Sequence, residues 1–231
     1  MCPMTDWQSA LNIREQTERS RAGGEALPGP FVTISRQAGC SGLTLGLLLA
    51  EILNDEAPPG KGWRVYGREI LEQLAVETNL ATEMIEELKA RKPKLLVDFF
   101  QSLSGKKVPS GYEIRNRITG MVRGLAYKGY VIIVGQGAGG ATADIENGLS
   151  LRLEAPLDWR VEQVVANEGC TPAEARLAIK TREKDREYLR KIYSMRFPRE
   201  PAFDLTYDHS RFTTTQIARH VVYMMKLKQM V

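Results

Sequence analysis

The chain has 231 residues, which is enough for one large domain with a sizeable hydrophobic core. Its 32 basic and 28 acidic residues leave a net charge of +4, too small an excess to indicate nucleic acid binding but compatible with an anionic small ligand. No apolar run reaches the roughly 18–20 residues that span a bilayer, and the polar N-terminus has no signal-peptide pattern, so we expect a cytoplasmic protein without a membrane partner.

The first part of the chain, residues 1–30, is expected to form an N-terminal extension and linker ahead of one domain over residues 31–231. Residues 6–21 carry a short helical pattern, and the glycines and prolines of residues 22–30 interrupt regular structure. The sequence leaves open whether this extension is a flexible tail or docks on a partner.

Five short β-rich runs alternate with helical patterns along the domain. The predicted strands cover residues 31–35, 63–66, 130–134, 149–153 and 203–207. The predicted helices cover residues 43–54, 68–78, 82–91, 112–128, 157–167, 172 to about 193, and 213–227. Thr171, Pro172 and Glu174 form a helix start signal ahead of the sixth helix. This alternation predicts a doubly wound, mostly parallel sheet with helices on both faces.

A glycine-containing turn connects the first strand to the first helix. Its residues are Gly39, Cys40, Ser41 and Gly42. Backbone N–H groups at a helix N-terminus that follows a strand favour an anion such as phosphate. The P-loop pattern G-x-x-x-x-G-K-[ST] is incomplete, since Gly42 replaces its lysine and Leu43 its hydroxyl residue. A plain strand-to-helix turn is therefore an alternative interpretation.

A second glycine run follows the third strand. Gly135, Gly137 and Gly140 fit the dinucleotide-binding pattern G-x-G-x-x-G, and Glu154 lies about 20 residues further on. The segment available for the following helix, residues 141–147, is shorter than a dinucleotide-binding crossover usually needs. A Rossmann dinucleotide binder is therefore a less favoured alternative.

A row of arginines lies in the sixth helical pattern. Arg182, Arg186 and Arg190 are spaced four residues apart, so a helix would place their guanidiniums along one face. Several fork-shaped donors suit a polyphosphate. The competing interpretation is a solvated charged face.

These motifs resemble those of the cytidylate kinase-like family. Residues 34–42 resemble the family's opening I-S-R-Q-x-G-S-G-G, in which glycine stands where the P-loop lysine would be. Residues 66–71 resemble Y-D-[RK]-E-[IL]-[IL], with Gly67 in place of the aspartate. The blocks follow in the family's order over roughly residues 31–222.

Two later blocks show the same resemblance with further departures. Residues 131–138 resemble V-I-x-G-R-G-A, with Gln136 in place of the arginine that faces the monophosphate in cytidylate kinases. Residues 203–210 resemble Y-D-L-x-[IL]-N-T, with Asp208 in place of the asparagine. The arginine row falls where such enzymes place a mobile lid.

The resemblance implies a P-loop NTPase-type α/β fold with a doubly wound five-stranded parallel sheet and a helical lid. It implies use of ATP and Mg²⁺ to phosphorylate a pyrimidine nucleoside monophosphate such as CMP, an activity that the departures predict to be weak or lost. A non-catalytic nucleotide-sensing or interaction module is the alternative. Nucleotides are the expected partners, nucleic acid is not, and a homo-oligomer is left open.

The resemblance also assigns roles to residues. Arg36 is the best candidate for the charge that the missing lysine would supply. The implied residues are Arg182 and Arg186 for catalysis, Arg36, Gly39, Cys40, Ser41, Gly42, Thr44 and Arg190 for nucleotide binding, Arg68 and Gln136 for the acceptor, and Thr44 for Mg²⁺.

Overall fold

The structure, a computed structural model, describes residues 28–69, 71, 110–196 and 202–231, without the side chains of residues 110–117, 185 and 188–196. The strands are β1 (Phe31–Arg36), β2 (Arg64–Tyr66), β3 (Val131–Val134), β4 (Gly148–Glu154) and β5 (Leu205–Asp208). The helices of this part of the chain are α1 (Gly42–Asp55), α2 (Ser110–Lys128), α3 (Ala138–Ala141), α4 (Leu157–Glu168), α5 (Pro172–Arg196) and α6 (Thr214–Leu227).

All five strands pair in parallel, in the order β2-β3-β1-β4-β5. The predicted five-stranded doubly wound sheet is thereby confirmed. The chain leaves β1 toward β2 on one side and leaves β4 toward β5 on the other. In open parallel sheets the crevice at such a reversal, outside the carboxyl ends of the strands, is where ligands bind.

Apolar side chains cover both faces of the sheet. On one face, Leu45 and Leu49 of α1 and Val221 and Met225 of α6 pack on the strands. On the other face, the apolar side of α2 packs on β1 and β3. The β3 run V-I-I-V is buried throughout, as expected for a central strand covered on both sides.

Two strands begin later than the apolar pattern predicts, and side-chain hydrogen bonds hold the residue just before each of them. Asn54 binds both main-chain groups of Trp63, accepting from its N–H at 2.6 Å and donating to its carbonyl at 3.1 Å. The Asp204 carboxylate accepts from the Ser150 N–H at 2.7 Å. Trp63 is therefore held by side-chain bonds, and Asp204 by this bond together with a main-chain bond from its N–H to the Ser150 carbonyl at 3.0 Å. The strands start one residue after each.

The predicted start of α5 is present. The Glu174 N–H donates to the Thr171 hydroxyl at 3.3 Å, and the Thr171 N–H donates to the Glu174 carboxylate at 2.8 Å. A similar reciprocal cap, formed by Thr213 and Gln216, begins α6.

Residues 28–30 are attached to the edge of the sheet where the strands begin. Gly29 donates to the Tyr127 carbonyl at 3.2 Å, and Tyr130 donates to the Pro30 carbonyl at 2.6 Å. A Cβ on Gly129 would lie 2.3 Å from the Gly29 Cα, so the two glycines pack backbone on backbone.

Several predictions lie wholly or largely outside the described residues: the extension over residues 1–27 and the helices at 68–78 and 82–91. None of the described helices has an apolar stretch long enough to cross a membrane.

Candidate functional site

The β1–α1 loop has a tight internal geometry. Ser41 has φ −81° and ψ 61°, and Gly42 donates to the Cys40 carbonyl at 2.9 Å, which together form an inverse γ-turn. The Cys40 N–H donates to the Gln37 carbonyl at 3.1 Å. Two of the four amides in the predicted phosphate cradle are therefore used within the loop in this conformation.

Arg160 of α4 donates hydrogen bonds to the main chain at the β1–α1 loop. Its Nη1 donates to the Ala38 carbonyl at 3.3 Å, and its Nε donates to the Ala155 carbonyl at 2.9 Å. Gly39 has φ +94°, and a Cβ there would lie 2.8 Å from the Arg160 carbonyl oxygen. Only glycine can adopt this backbone conformation so close to α4 at low cost. Gly39 thus packs the loop onto α4, a role distinct from binding a phosphate.

Arg36 runs from the end of β1 between two glycines. Its Cδ lies 3.1 Å from the position of a Cβ on Gly42, and its Nη1 lies 1.8 Å from that of a Cβ on Gly135. The guanidinium therefore rests against the backbone at the end of β3. Burial, together with the neighbouring Arg186 guanidinium, lowers the pKa of Arg36 to about 10.

Helix α5 contacts the loop through a carboxylate and a guanidinium. Glu183 accepts a hydrogen bond from the Ala38 N–H, and Arg186 Nη1 donates to the Arg36 carbonyl at 3.2 Å. Glu183 and Arg186 themselves lie 3.7 Å apart. Burial lowers the pKa of Arg186, although the adjacent Glu183 carboxylate opposes the shift. The helix thus lies against the carboxyl end of β1, where a lid was predicted.

The arginines of the α5 row do not share one binding partner. Arg182 forms a two-pronged ion pair with Glu168 at the end of α4, with distances of 2.6 and 2.8 Å. This bonding raises the pKa of Arg182 and lowers that of Glu168. Arg186 contacts the loop, and the side chain of Arg190 lies outside the described residues.

The turn after β3 carries three consecutive residues with positive φ: Gly135 at 82°, Gln136 at 54° and Gly137 at 69°. Such a backbone is strained at the non-glycine position. The Arg36 guanidinium rests against the backbone of this turn at Gly135, the residue before Gln136.

The helix after this turn, Ala138–Ala141, has only four residues. The strand order also differs from the 3-2-1-4-5-6 order of dinucleotide-binding sheets. Neither feature fits the Rossmann alternative.

A buried ion pair supports the segment after β3. Arg123 of α2 is fully buried, and its two terminal nitrogens bind the Asp144 carboxylate at 2.7 and 2.8 Å. Arg123 also donates to the Ala141 carbonyl at 2.6 Å. An arginine inside an apolar helical pattern has no local signal that would reveal this role from sequence.

A further buried cation, which the sequence analysis missed, is Arg152, next to the end of β1. Arg152 of β4 donates to the Ser35 hydroxyl at 2.9 Å and to the Glu154 carboxylate at 3.1 Å. Burial raises the pKa of the nearby Cys40 thiol to about 11, against the opposing effect of Arg160, Arg152 and Arg186. Cys40 is thus a neutral thiol near neutral pH.

Arg68, predicted to bind an acceptor, and its neighbour Glu69 both influence the pKa of Arg36, Glu69 by raising it and Arg68 by lowering it. A Cβ on Gly67 would lie 3.6 Å from the Glu69 carboxylate. The family's aspartate is missing at Gly67, and the structure brings the Glu69 carboxylate close to that position.

The hydroxyl predicted to meet Mg²⁺, that of Thr44, is exposed in the first turn of α1. Within the described parts of the chain, no three histidine, cysteine or acidic side chains come together as a protein-built metal site requires. An exposed hydroxyl suits a cation that is held mainly by phosphate oxygens and water.

The sequence model of the cytidylate kinase-like family matches residues 31–211. The chain belongs to this family. The resemblance drawn from the motifs is therefore confirmed. Among curated proteins, none matches the chain significantly.

One of the solved structures that match the chain has a similar overall fold by TM-score. An uncharacterized protein from Eubacterium ventriosum has a TM-score of 0.61 and 17% identity, over 85% of this chain and 98% of that chain. A shikimate kinase from Bacteroides thetaiotaomicron has a TM-score of 0.45 and 15% identity, over 87% of this chain and 98% of that one.

Proposed function

We propose that this protein binds a nucleotide through the β1–α1 loop and carries a weak or lost nucleoside-monophosphate kinase activity toward a CMP-like acceptor. The observation that supports this is the gathering of Arg36 and Arg186 at the carboxyl end of β1, beside the glycine loop. Both guanidiniums are partly buried, which strengthens their interaction with a phosphate.

In this proposal, the loop amides and the N-terminus of α1 receive the donor phosphates of ATP. Ser41 and Gly42 lie at the start of α1, where the helix dipole favours negative charge. Arg186 neutralises the transferring group, and Arg182 and Arg190 join it when α5 closes. Mg²⁺ would bind the Thr44 hydroxyl and phosphate oxygens, supplying charge neutralisation.

The acceptor would lie between Arg68 and the Gln136 turn. Gln136 is neutral, so it provides less stabilisation for a monophosphate than the arginine found there in cytidylate kinases. A contact to transition-state charge is worth on the order of 3 kcal/mol, or about 10²-fold in rate. Losses at Gly42 and Gln136 together are expected to reduce turnover by several orders of magnitude unless Arg36 replaces one of them.

The decisive experiment combines binding and turnover. ATP with Mg²⁺ should raise the melting temperature of the wild type, and Ser41→Trp should abolish the shift while the protein stays folded. Diphosphate formation from ATP with CMP, dCMP or UMP should fall well below the ~1–100 s⁻¹ typical of kinases. A turnover in that range would contradict the loss of activity, and the absence of any nucleotide-induced shift would contradict the binding site.

A non-catalytic nucleotide-sensing module is the second candidate. It is favoured by Glu183, whose carboxylate is bonded to the loop at Ala38. A protein that binds ATP tightly without turning over any monophosphate would support this candidate. In either case we propose a cytoplasmic protein whose partners are small nucleotides.

A further inference from the structure

The chain departs from the P-loop pattern at several positions, and at two of them a glycine and a cation are interchanged. In G-x-x-x-x-G-K the first glycine stands six residues before the lysine. The chain has Arg36 at the position of that glycine and Gly42 at the position of that lysine. The cation is therefore found at the strand end instead of the helix N-terminus.

The two positions are in contact. The Arg36 Cδ and Cγ lie 3.1 and 3.3 Å from the position of a Cβ on Gly42, which is tighter than ordinary van der Waals contact. A lysine at position 42 would begin its side chain against the arginine stem. It would also bring another cation toward a guanidinium that already has Arg186 and Arg68 as neighbours.

A third glycine determines where the guanidinium comes to rest. The Arg36 Nη1 lies 1.8 Å and its Cζ 2.8 Å from the position of a Cβ on Gly135, so any side chain there would displace the guanidinium. Gly135 directly follows β3 and precedes Gln136. The cation thus lies between the loop at the end of β1 and the turn at the end of β3.

We propose that Arg36 and Gly42 have exchanged the roles that the P-loop pattern gives to these positions: Arg36 is the phosphate-binding cation, and Gly42 and Gly135 are glycines because its side chain must pass them. The inference rests on the proposed function and names the ligand as a phosphoanhydride chain, either inorganic or of a nucleoside triphosphate. A planar guanidinium donates two parallel hydrogen bonds to phosphate oxygens, whereas an ammonium acts as a point charge.

The first test measures the affinity of the full chain for ATP and for inorganic tripolyphosphate by calorimetry. Arg36→Ala should weaken tripolyphosphate binding by roughly 10- to 100-fold, as for the loss of a hydrogen bond to a charged group. Gly135→Ala should weaken it similarly by displacing the guanidinium. Gly60→Ala is the matched control, since Gly60 has φ +78°, close to the +82° of Gly135, but has open space around its Cβ position.

The second test is a double-mutant cycle. Gly42→Lys should strengthen tripolyphosphate binding when Arg36 is replaced by alanine, and should fail to strengthen it when Arg36 is present. An equal gain in both backgrounds would show that the two positions are independent and would overturn the exchange. Unchanged affinity in Arg36→Ala, or no tripolyphosphate binding by the wild type, would also overturn it.

The same data separate this inference from the proposed function. Arg36-dependent binding of tripolyphosphate without binding of ATP would support the exchange and contradict a nucleotide site. ATP binding that is blocked by Ser41→Trp but unaffected by Arg36→Ala would support the nucleotide site and contradict the exchange.

Discussion

Two arginines of α5, four residues apart, have different surroundings. Arg186 is partly buried and donates to the Arg36 carbonyl, whereas Arg182 is exposed and bonded to Glu168. Arg186→Ala should weaken ATP binding by about 1.5–3 kcal/mol, the usual worth of a hydrogen bond to a charged group. Arg176→Ala is the control, because Arg176 of the same helix is exposed and pairs with Asp158. Equal affinities for both variants by titration calorimetry would instead support the interpretation of the arginine row as a solvated charged face.

His209, after β5, is expected to make stability depend on pH. It is buried against Trp159, with ring centroids 5.3 Å apart, and burial lowers its pKa below the ordinary 6.5, although Asp208 opposes the shift. Between the folded-state pKa and 6.5 the unfolded chain binds a proton that the folded chain does not. Stability attributable to His209 is therefore full above pH 6.5 and is lost as the pH falls through the folded-state pKa.

The measurement is an NMR titration of the imidazole signals together with thermal unfolding across this pH range. The chain has only two histidines, so His220→Gln assigns the His209 signals directly. The melting temperature of the wild type should fall as the pH is lowered. This fall should be smaller in His209→Gln and unchanged in His220→Gln. A His209 titration midpoint at or above 6.5 would contradict the burial argument.

At the scale of elements, α5 and the β1–α1 loop share a contact that competes with an anion. Glu183 accepts from the Ala38 N–H, so a carboxylate of the protein already occupies one donor of the loop. Glu183→Gln removes a negative charge from the site and should raise the affinity for tripolyphosphate several-fold, because anion binding no longer has to displace or repel it.

Glu187→Gln provides the comparison, since Glu187 lies one turn further along α5 and is exposed. It removes the same charge away from the loop and should change the affinity little at physiological salt. If Glu183→Gln weakened binding instead, Glu183 would be a residue that orients Arg186, which lies 3.7 Å from it.

At the scale of the whole molecule, the strand order leads to a prediction about ligand class. The long helix that begins at a glycine loop is α1, after β1, whereas the loop after β3 leads into the four-residue Ala138–Ala141. Nucleoside triphosphates should therefore stabilise the protein against heat, and NAD and NADP should not. A dinucleotide-induced shift that Gly137→Val abolished would revive the Rossmann interpretation.

The fold followed from the sequence more completely than the site did. Strands and helices depend on local periodicity, so the β-branched run of β3 and the cap of α5 were predicted correctly. The strand order was not predicted, because periodicity does not determine which strands pair; the structure supplies it.

The contacts of the site depend on residues far apart in the chain. Ala38 and Glu183 are separated by 145 positions, and no local pattern connects them. Arg160 and Arg152 were missed for a related reason: charged residues in helical and strand patterns are usually solvent-facing, and only the folded structure reveals that these two are buried.

The hydrogen bonds that attach residues 28–30 to the sheet have a practical consequence for experiments on this protein. These residues lie at the edge of the sheet where the strands begin, bonded to Tyr127 and Tyr130, whereas the glycine loop lies at the opposite edge. Helix α6 returns to the first edge, where Lys226 pairs with Glu56 at 2.6 Å. Residues 28 and 231 therefore both emerge on the side away from the loop. A sensor surface or fluorophore attached through residue 231 should leave the nucleotide-facing side open to solution.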